Sequence, residues 1–287
     1  MSIVVTGATG HLGRLTVEAL LDRGVPADQI VATGRRVETL EDLRAKGVTV
    51  RHADYTEPAS LRAAFAGADK LLLISSSEVG QRLSQHSNVI QAAKDAGVSL
   101  IAYTSIPKAD TSSLLLAQEH KATEELLVDS GVPHVGLRNS WYIENYLGQL
   151  PMYLQFGIAG AAGNGRVSAA TRADLAEAAA AVLIQDGHAG RTYELGGQPL
   201  TMSQLAQVVS EAAGKPVGYT DMPVEQYTQV LVSAGLPEPV AAVFADGDRG
   251  IAAGELLVDT ADLEQLLGRP ATPVADAVKA AVADLGE

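Results

Sequence analysis

Val4-Val5-Thr6-Gly7-Ala8-Thr9-Gly10-His11-Leu12-Gly13 decides how this chain is read. A short apolar strand runs into three glycines spaced G-x-x-G-x-x-G, and an amphipathic stretch, residues 15–21, follows at once. Such a turn needs residues without a Cβ, so that backbone N–H groups can approach a pyrophosphate. The helix behind it offers the anion the partial positive charge of its N-terminus. A glycine triplet alone is a weak signal; set between a strand and a helix it predicts a dinucleotide cradle. The competing reading, a tight turn in a domain without nucleotide, explains the glycines but not their setting.

Working outward, two patterns alternate. Residues 3–6, 30–33, 48–52, 70–75, 99–105 and 133–137 read as strands, and residues 12–24, 37–46, 61–65, 85–96 and 117–130 as helices. Continuous apolar strands between amphipathic helices predict a parallel sheet covered on both faces. Gly24, Gly47, Gly97 and Gly131 each stand where a left-handed C-cap would end a helix just before a strand. After Arg138 the rhythm breaks. Residues 157–165 are glycine-rich, residues 172–184 read as an alanine-rich helix capped by Thr171, and residues 193–195 as a short strand. From Ser203 onward the chain reads as mostly helical, punctuated by prolines. The expectation is an α/β fold: a Rossmann doubly wound parallel sheet with a smaller, mostly helical C-terminal lobe. Residues 1–138 would form the dinucleotide-binding Rossmann domain and residues 139–287 a substrate-binding lobe over the carboxyl ends of the strands, with residues 155–185 returning to the first domain.

The 287 residues carry 34 acidic and 21 basic side chains, a formal net charge of −13. That balance argues against nucleic acid or an anionic membrane as partner. There is no cysteine, which excludes disulfides, thiolate catalysis and cysteine metal sites. Histidines 52, 86, 134 and 188 show no ligand spacing, so no metal site is expected. Thr6 and the glycines interrupt the apolar start, and apolar runs such as residues 71–74 and 114–117 are too short to cross a bilayer. A cytoplasmic protein is expected, with a homodimer as the working guess.

Coenzyme choice turns on the end of the second strand, where an acidic residue would hold the 2′-hydroxyl of NAD. Here the chain reads Val31-Ala32-Thr33-Gly34-Arg35-Arg36, the only adjacent basic pair it has. A guanidinium matches a phosphate with fixed, always-charged donors, so NADP(H) is the expected coenzyme. The alternative leaves both arginines solvated or capping the next helix. Glu38 comes a turn too late to take the acid's place, and Asp54 either approaches the adenine or is a solvated loop carboxylate.

The common short-chain reductases place a lysine four residues after a tyrosine, lowering the phenol's pKa for proton donation. None of the eight tyrosines here has that lysine. No catalytic side chain is therefore named. A quinone fits this gap, because its reduced anion is aromatic and weakly basic, so water can protonate it; a ketone's alkoxide would need a positioned acid.

Three stretches carry a resemblance: the glycine turn, residues 71–81 (LLLISSSEVGQ) and residues 137–146 (LRNSWYIENY). Together with residues 169–174 and 193–195, they make the chain resemble the NmrA-like atypical short-chain dehydrogenase/reductases over nearly its whole length. Within that group it is similar to the bacterial type-two NADPH:quinone oxidoreductases. The resemblance implies hydride transfer from NADPH to a quinone or similar electron-poor acceptor. It puts the pyrophosphate on Gly7, Ala8, Thr9, Gly10, His11 and Leu12, the 2′-phosphate on Arg35, and the adenosine side on Ser75, Ser76 and Ser77. Asn139, Ser140, Trp141, Tyr142, Ile143 and Glu144 would run along the nicotinamide. Tyr142 and Asn145 would wall the substrate pocket, with Thr171 near its mouth; core packing between lobes is the plainer reading of Trp141. His120 and Glu124, four apart on one helix face, read either as a catalytic acid or as ordinary surface charges. NmrA itself implies a second function, a redox-sensing regulator that binds NADP without catalysis. Isoflavone-reductase relatives imply a third, through a helix lysine near the position of Lys121.

Overall fold

The computed structural model describes residues 1–285. Its first half alternates β1 (Ile3–Val5), α1 (His11–Asp22), β2 (Ile30–Gly34), α2 (Glu41–Ala45), β3 (Thr49–His52), α3 (Pro58–Phe65), β4 (Lys70–Leu73), α4 (Arg82–Asp95), β5 (Leu100–Ser105), α5 (Leu115–Ser130) and β6 (His134–Asn139). The second half adds α6 (Glu144–Leu147), α7 (Leu150–Phe156), β7 (Ile158–Gly160), α8 (Arg172–Ile184), β8 (Thr192–Leu195), α9 (Met202–Ala213) and β9 (Tyr219–Asp221). Helices α10 (Val224–Ser233), α11 (Glu238–Ala252), α12 (Ala261–Leu267) and α13 (Val274–Asp284) complete it.

Seven parallel strands form one sheet in the order β3-β2-β1-β4-β5-β6-β8. This is the Rossmann order with an added edge strand. The strands are apolar throughout because both faces are covered. Ile3, Val5 and Leu72 face a core shared with α1, α8 and α12, while Val4, Leu71 and Leu73 face one shared with α3, α4 and α5. The strand order reverses between β1 and β4, and this opens a crevice at their carboxyl ends.

Several element ends differ from the sequence reading for identifiable reasons. The fourth strand leaves the sheet at Leu73 rather than residue 75, because side-chain hydroxyls take over its ladder. Ile74 N–H donates to Thr6 Oγ1 at 3.0 Å and Ser75 N–H to Thr104 Oγ1 at 2.9 Å. The sixth strand runs on to Asn139 rather than ending at 137, because β8 pairs beside it. Helix α5 begins two residues early, where Asp246 of α11 accepts the Leu115 N–H at 2.7 Å. Residues 37–46 split into a 3₁₀ turn, Val37–Leu40, and the short α2. Gly24, Gly47, Gly97 and Gly131 all adopt positive φ.

Helix α8 is apolar nearly all round, as befits a helix covered on every side. Its alanines let it lie close against α1, with α12 on its other flank. So α8 and β8, both downstream of residue 138, belong to the layers of the sheet. A separate core unites α6, α7, α9 and α13 with Ile106, Leu114 and Ala117, which follow β5, so the remaining lobe sits on the carboxyl ends of the strands. A short parallel pair, β7 with β9, lies within it. Among the described residues, no helix is long and apolar enough to cross a membrane.

Candidate functional site

The crevice holds two connected chambers that share Gly7, Gly10, Ile74, Ser75, Ser76 and Ser77. Between them the glycine turn is tightly folded. Gly7 takes φ +61°, a conformation that a side chain would strain, and its carbonyl accepts the Gly10 N–H at 2.9 Å. A Cβ on Gly13 would be driven into that same carbonyl, so the third glycine sets how closely α1 approaches the turn. Gly10 caps α1 without a side chain, which leaves the first amides of the helix facing the turn.

The opposite wall is fixed from behind by buried groups. Ser76 N–H donates to His86 Nε2 at 3.0 Å, and Arg82 Nε donates to the Ser76 carbonyl at 2.6 Å. Burial, with the nearby Arg82 charge, pushes the His86 imidazole down to about 3, so it is neutral. Because Nε2 accepts, Nδ1 carries the proton and donates to Thr123 Oγ1 at 2.9 Å.

The smaller chamber, about 250 Å³, is lined by Thr9, Arg35, Asp54, Glu78 and Gln85. Arg35 NH1 donates to Glu78 Oε1 at 2.8 Å. Asp54 spends one oxygen on the Thr56 backbone and hydroxyl. Arg36 lies outside, at the start of the 3₁₀ turn.

The larger chamber, about 750 Å³, is apolar on its outer side, where α11 brings Pro239, Val240, Val243 and Phe244. Its floor is Asn139, Ser140, Trp141 and Tyr142, placed by the end of β6. Asn139 is buried, yet its Oδ1 has no partner among the described residues. A buried carbonyl left in this way is costly unless a ligand satisfies it. Trp141 packs edge-on to Phe244 at 6.2 Å and against Gly247, so it both joins the lobes and lines the chamber. The Arg172 guanidinium lies 4.6 Å from the centre of the Tyr142 ring and donates to Asn145 Oδ1 at 2.9 Å. Burial holds the Tyr142 hydroxyl above its ordinary pKa, so it stays protonated.

Of the residues expected from the sequence, Gly7, Gly10, His11, Leu12, the three serines, Asn139, Ser140, Trp141, Tyr142 and Asn145 line the larger chamber, and Thr9 and Arg35 the smaller. Ala8 is buried beneath the turn, and Ile143 packs into the second core. Glu144 lies behind the wall, accepting the Arg172 N–H at 2.8 Å. Thr171 caps α8 as expected, accepting the Asp174 N–H at 3.1 Å, and its neighbour Arg172 lines the chamber. The surface reading of His120 is also corrected. The ring is buried, bonds Tyr103 Oη at 2.7 Å, and is held well below its ordinary pKa by burial and Arg82, so it is no imidazolium acid. Glu124 binds Arg138 and Ser105, and Lys121 is exposed and outside both chambers. Arg82 and the α11 wall also line the chamber, and no local sequence pattern marks them. For Arg172 one signal existed, a cation on the first turn of a helix, where the dipole disfavours it.

A sequence model of the NmrA-like family matches residues 1–249. The chain belongs to the NmrA-like family. It is 49% identical over 278 residues to quinone oxidoreductase 2 of Escherichia coli, covering 96% of this chain and 97% of that protein. The structure of an E. coli NADPH-dependent quinone oxidoreductase complexed with NADPH superposes with a TM-score of 0.94 at 48% identity, covering 99% of this chain and all of that one. The triphenylmethane reductase of a Citrobacter species, complexed with NADP(H), gives 0.92 at 42% identity over 98% of this chain and all of that one. NmrA itself, at 15% identity, shares the fold.

Proposed function

We propose that this chain is an NADPH-dependent reductase that passes a hydride directly to a quinone or similar electron-poor acceptor. The observation that carries the proposal is the two-chambered crevice, with a guanidinium at one end and an apolar acceptor space at the other, on a chain nearly half identical to a quinone oxidoreductase. The residues fit the coenzyme. The glycine turn leaves room for a pyrophosphate, Arg35 suits a 2′-phosphate, and the unpartnered Asn139 Oδ1 offers an acceptor to an amide N–H.

When bound, NADPH supplies the hydride; the chain supplies binding, orientation and a dry space. Asn139 and the Tyr142–Arg172 stack form a floor against which a planar ring can lie. The α11 wall gives the acceptor an apolar side to lie against. His120 is held neutral by burial, and Tyr142 is held as the phenol without a lysine to activate it. Such a site suits an acceptor whose reduced anion water can protonate. A cytoplasmic, membrane-independent protein accompanies this reading, and a homodimer remains its working form, open to light scattering.

The test is NADPH oxidation followed by absorbance with benzoquinone as acceptor. Turnover far above the uncatalysed mixture is expected, and a rate equal to that mixture would sink the proposal. The regulator reading predicts tighter binding of NADP⁺ than of NADPH and no acceptor-dependent turnover. The high identity to an oxidoreductase, against a fold-level likeness to NmrA, favours the enzyme.

A further inference from the structure

Glu78 already engages Arg35, the residue proposed above to take the 2′-phosphate. One carboxylate oxygen accepts from Arg35 NH1 at 2.8 Å and the other from Gln85 Nε2 at 2.9 Å. Gln85 is buried, so it holds Glu78 in place, while Arg35 and Glu78 are 62% and 41% exposed. The segment between β4 and α4 that carries Glu78 has no regular ladder. Asp54 lines the same small chamber, so one guanidinium there faces two carboxylates.

A guanidinium fork takes a carboxylate and a phosphate through the same donors, so the two compete for Arg35. A 2′-phosphate must displace Glu78 and then lie near its charge. A coenzyme with a free 2′-hydroxyl makes no such demand, and its hydroxyls can donate to either carboxylate. We propose that Glu78 is a specificity-setting residue: it occupies Arg35 in the free protein, weakens binding of the 2′-phosphate, and narrows the preference for NADPH over NADH. This rests on the coenzyme reading above.

The probes are 2′,5′-ADP and 5′-ADP, titrated calorimetrically into the wild-type protein and Glu78→Gln. The glutamine keeps the shape and can still accept from Gln85. Exposed ion pairs are worth little, so the expected gain in 2′,5′-ADP affinity is about three- to fivefold, with 5′-ADP changed less than about twofold. The gain should shrink at high salt. Equal or weaker binding of 2′,5′-ADP by the variant, with the wild type binding it well, would overturn the role of Glu78 alone. Failure of the wild type to bind either nucleotide would overturn the coenzyme reading and this proposal with it. A melting temperature unchanged in Glu78→Gln guards against a folding effect.

Discussion

Arg35 and Asn139 stand at opposite ends of the crevice and answer to different tests. Replacing Arg35 with alanine removes the charged partner proposed for the 2′-phosphate. The Kd for NADPH should rise about 10- to 100-fold while that for NADH changes little, since a hydrogen bond to a charged group is worth about 1.5–3 kcal/mol. Binding titrations with both coenzymes check this. Asn139→Leu should behave differently, because Oδ1 has no partner among the described residues. Coenzyme affinity should fall about tenfold for the loss of one directed bond, read by titration of the folded variant. That both residues line the crevice was legible in the sequence, Arg35 from a missing acid and Asn139 through resemblance. Arg172 is less legible than Thr171, because a capping threonine is a strong local signal and a cavity wall has none. His120 was read as one of two alternatives, because a helix face does not reveal which side faces the core.

At the scale of elements, the alternation of apolar strands and amphipathic helices made the sheet legible, since period and glycine caps are local. What escaped was set by partners distant in sequence. Hydroxyls of Thr6 and Thr104 end β4, β8 lengthens β6, and a carboxylate from α11 starts α5. The α11 wall escaped for the same reason. Helix α8 shows how the two roles open to Thr171, cap and pocket mouth, can be told apart. Thr171→Ala should cost about 1 kcal/mol through loss of the cap, seen as a lower urea midpoint. The KM for a quinone should stay within about twofold of wild type if the hydroxyl serves only the helix. A large rise in KM with unchanged stability would return Thr171 to the pocket.

For the whole molecule, the buried Asp248 of α11 governs one pH response. Its Oδ2 accepts the Ala161 N–H at 2.7 Å, and Gly160 has no Cβ that would collide with it. Burial pushes the carboxyl up to about 6. Between about pH 4 and 6 the folded protein therefore keeps a proton there that the unfolded chain has released. The group's stabilising share is full below the unfolded carboxylate pKa and is lost as pH rises through about 6. Asp248→Asn should thus be more stable than wild type at pH 8, by up to about 3 kcal/mol, with the advantage gone near pH 4. Denaturant titrations at the two pH values decide it.

The place of α8 and β8 in the sheet layers bears on how the polypeptide is made. Until residue 184 has left the ribosome, Leu12, Val17 and Leu20 of α1 have no alanine helix to cover them, and until residue 195 the β6 border stays open. A nascent chain halted at residue 138 would expose both. Synthesised as a fragment, it should clump or be degraded instead of standing as an independent nucleotide-binding unit, which circular dichroism and sedimentation would reveal. Evolution therefore could not have trimmed this enzyme to its first half without first rebuilding that bare flank.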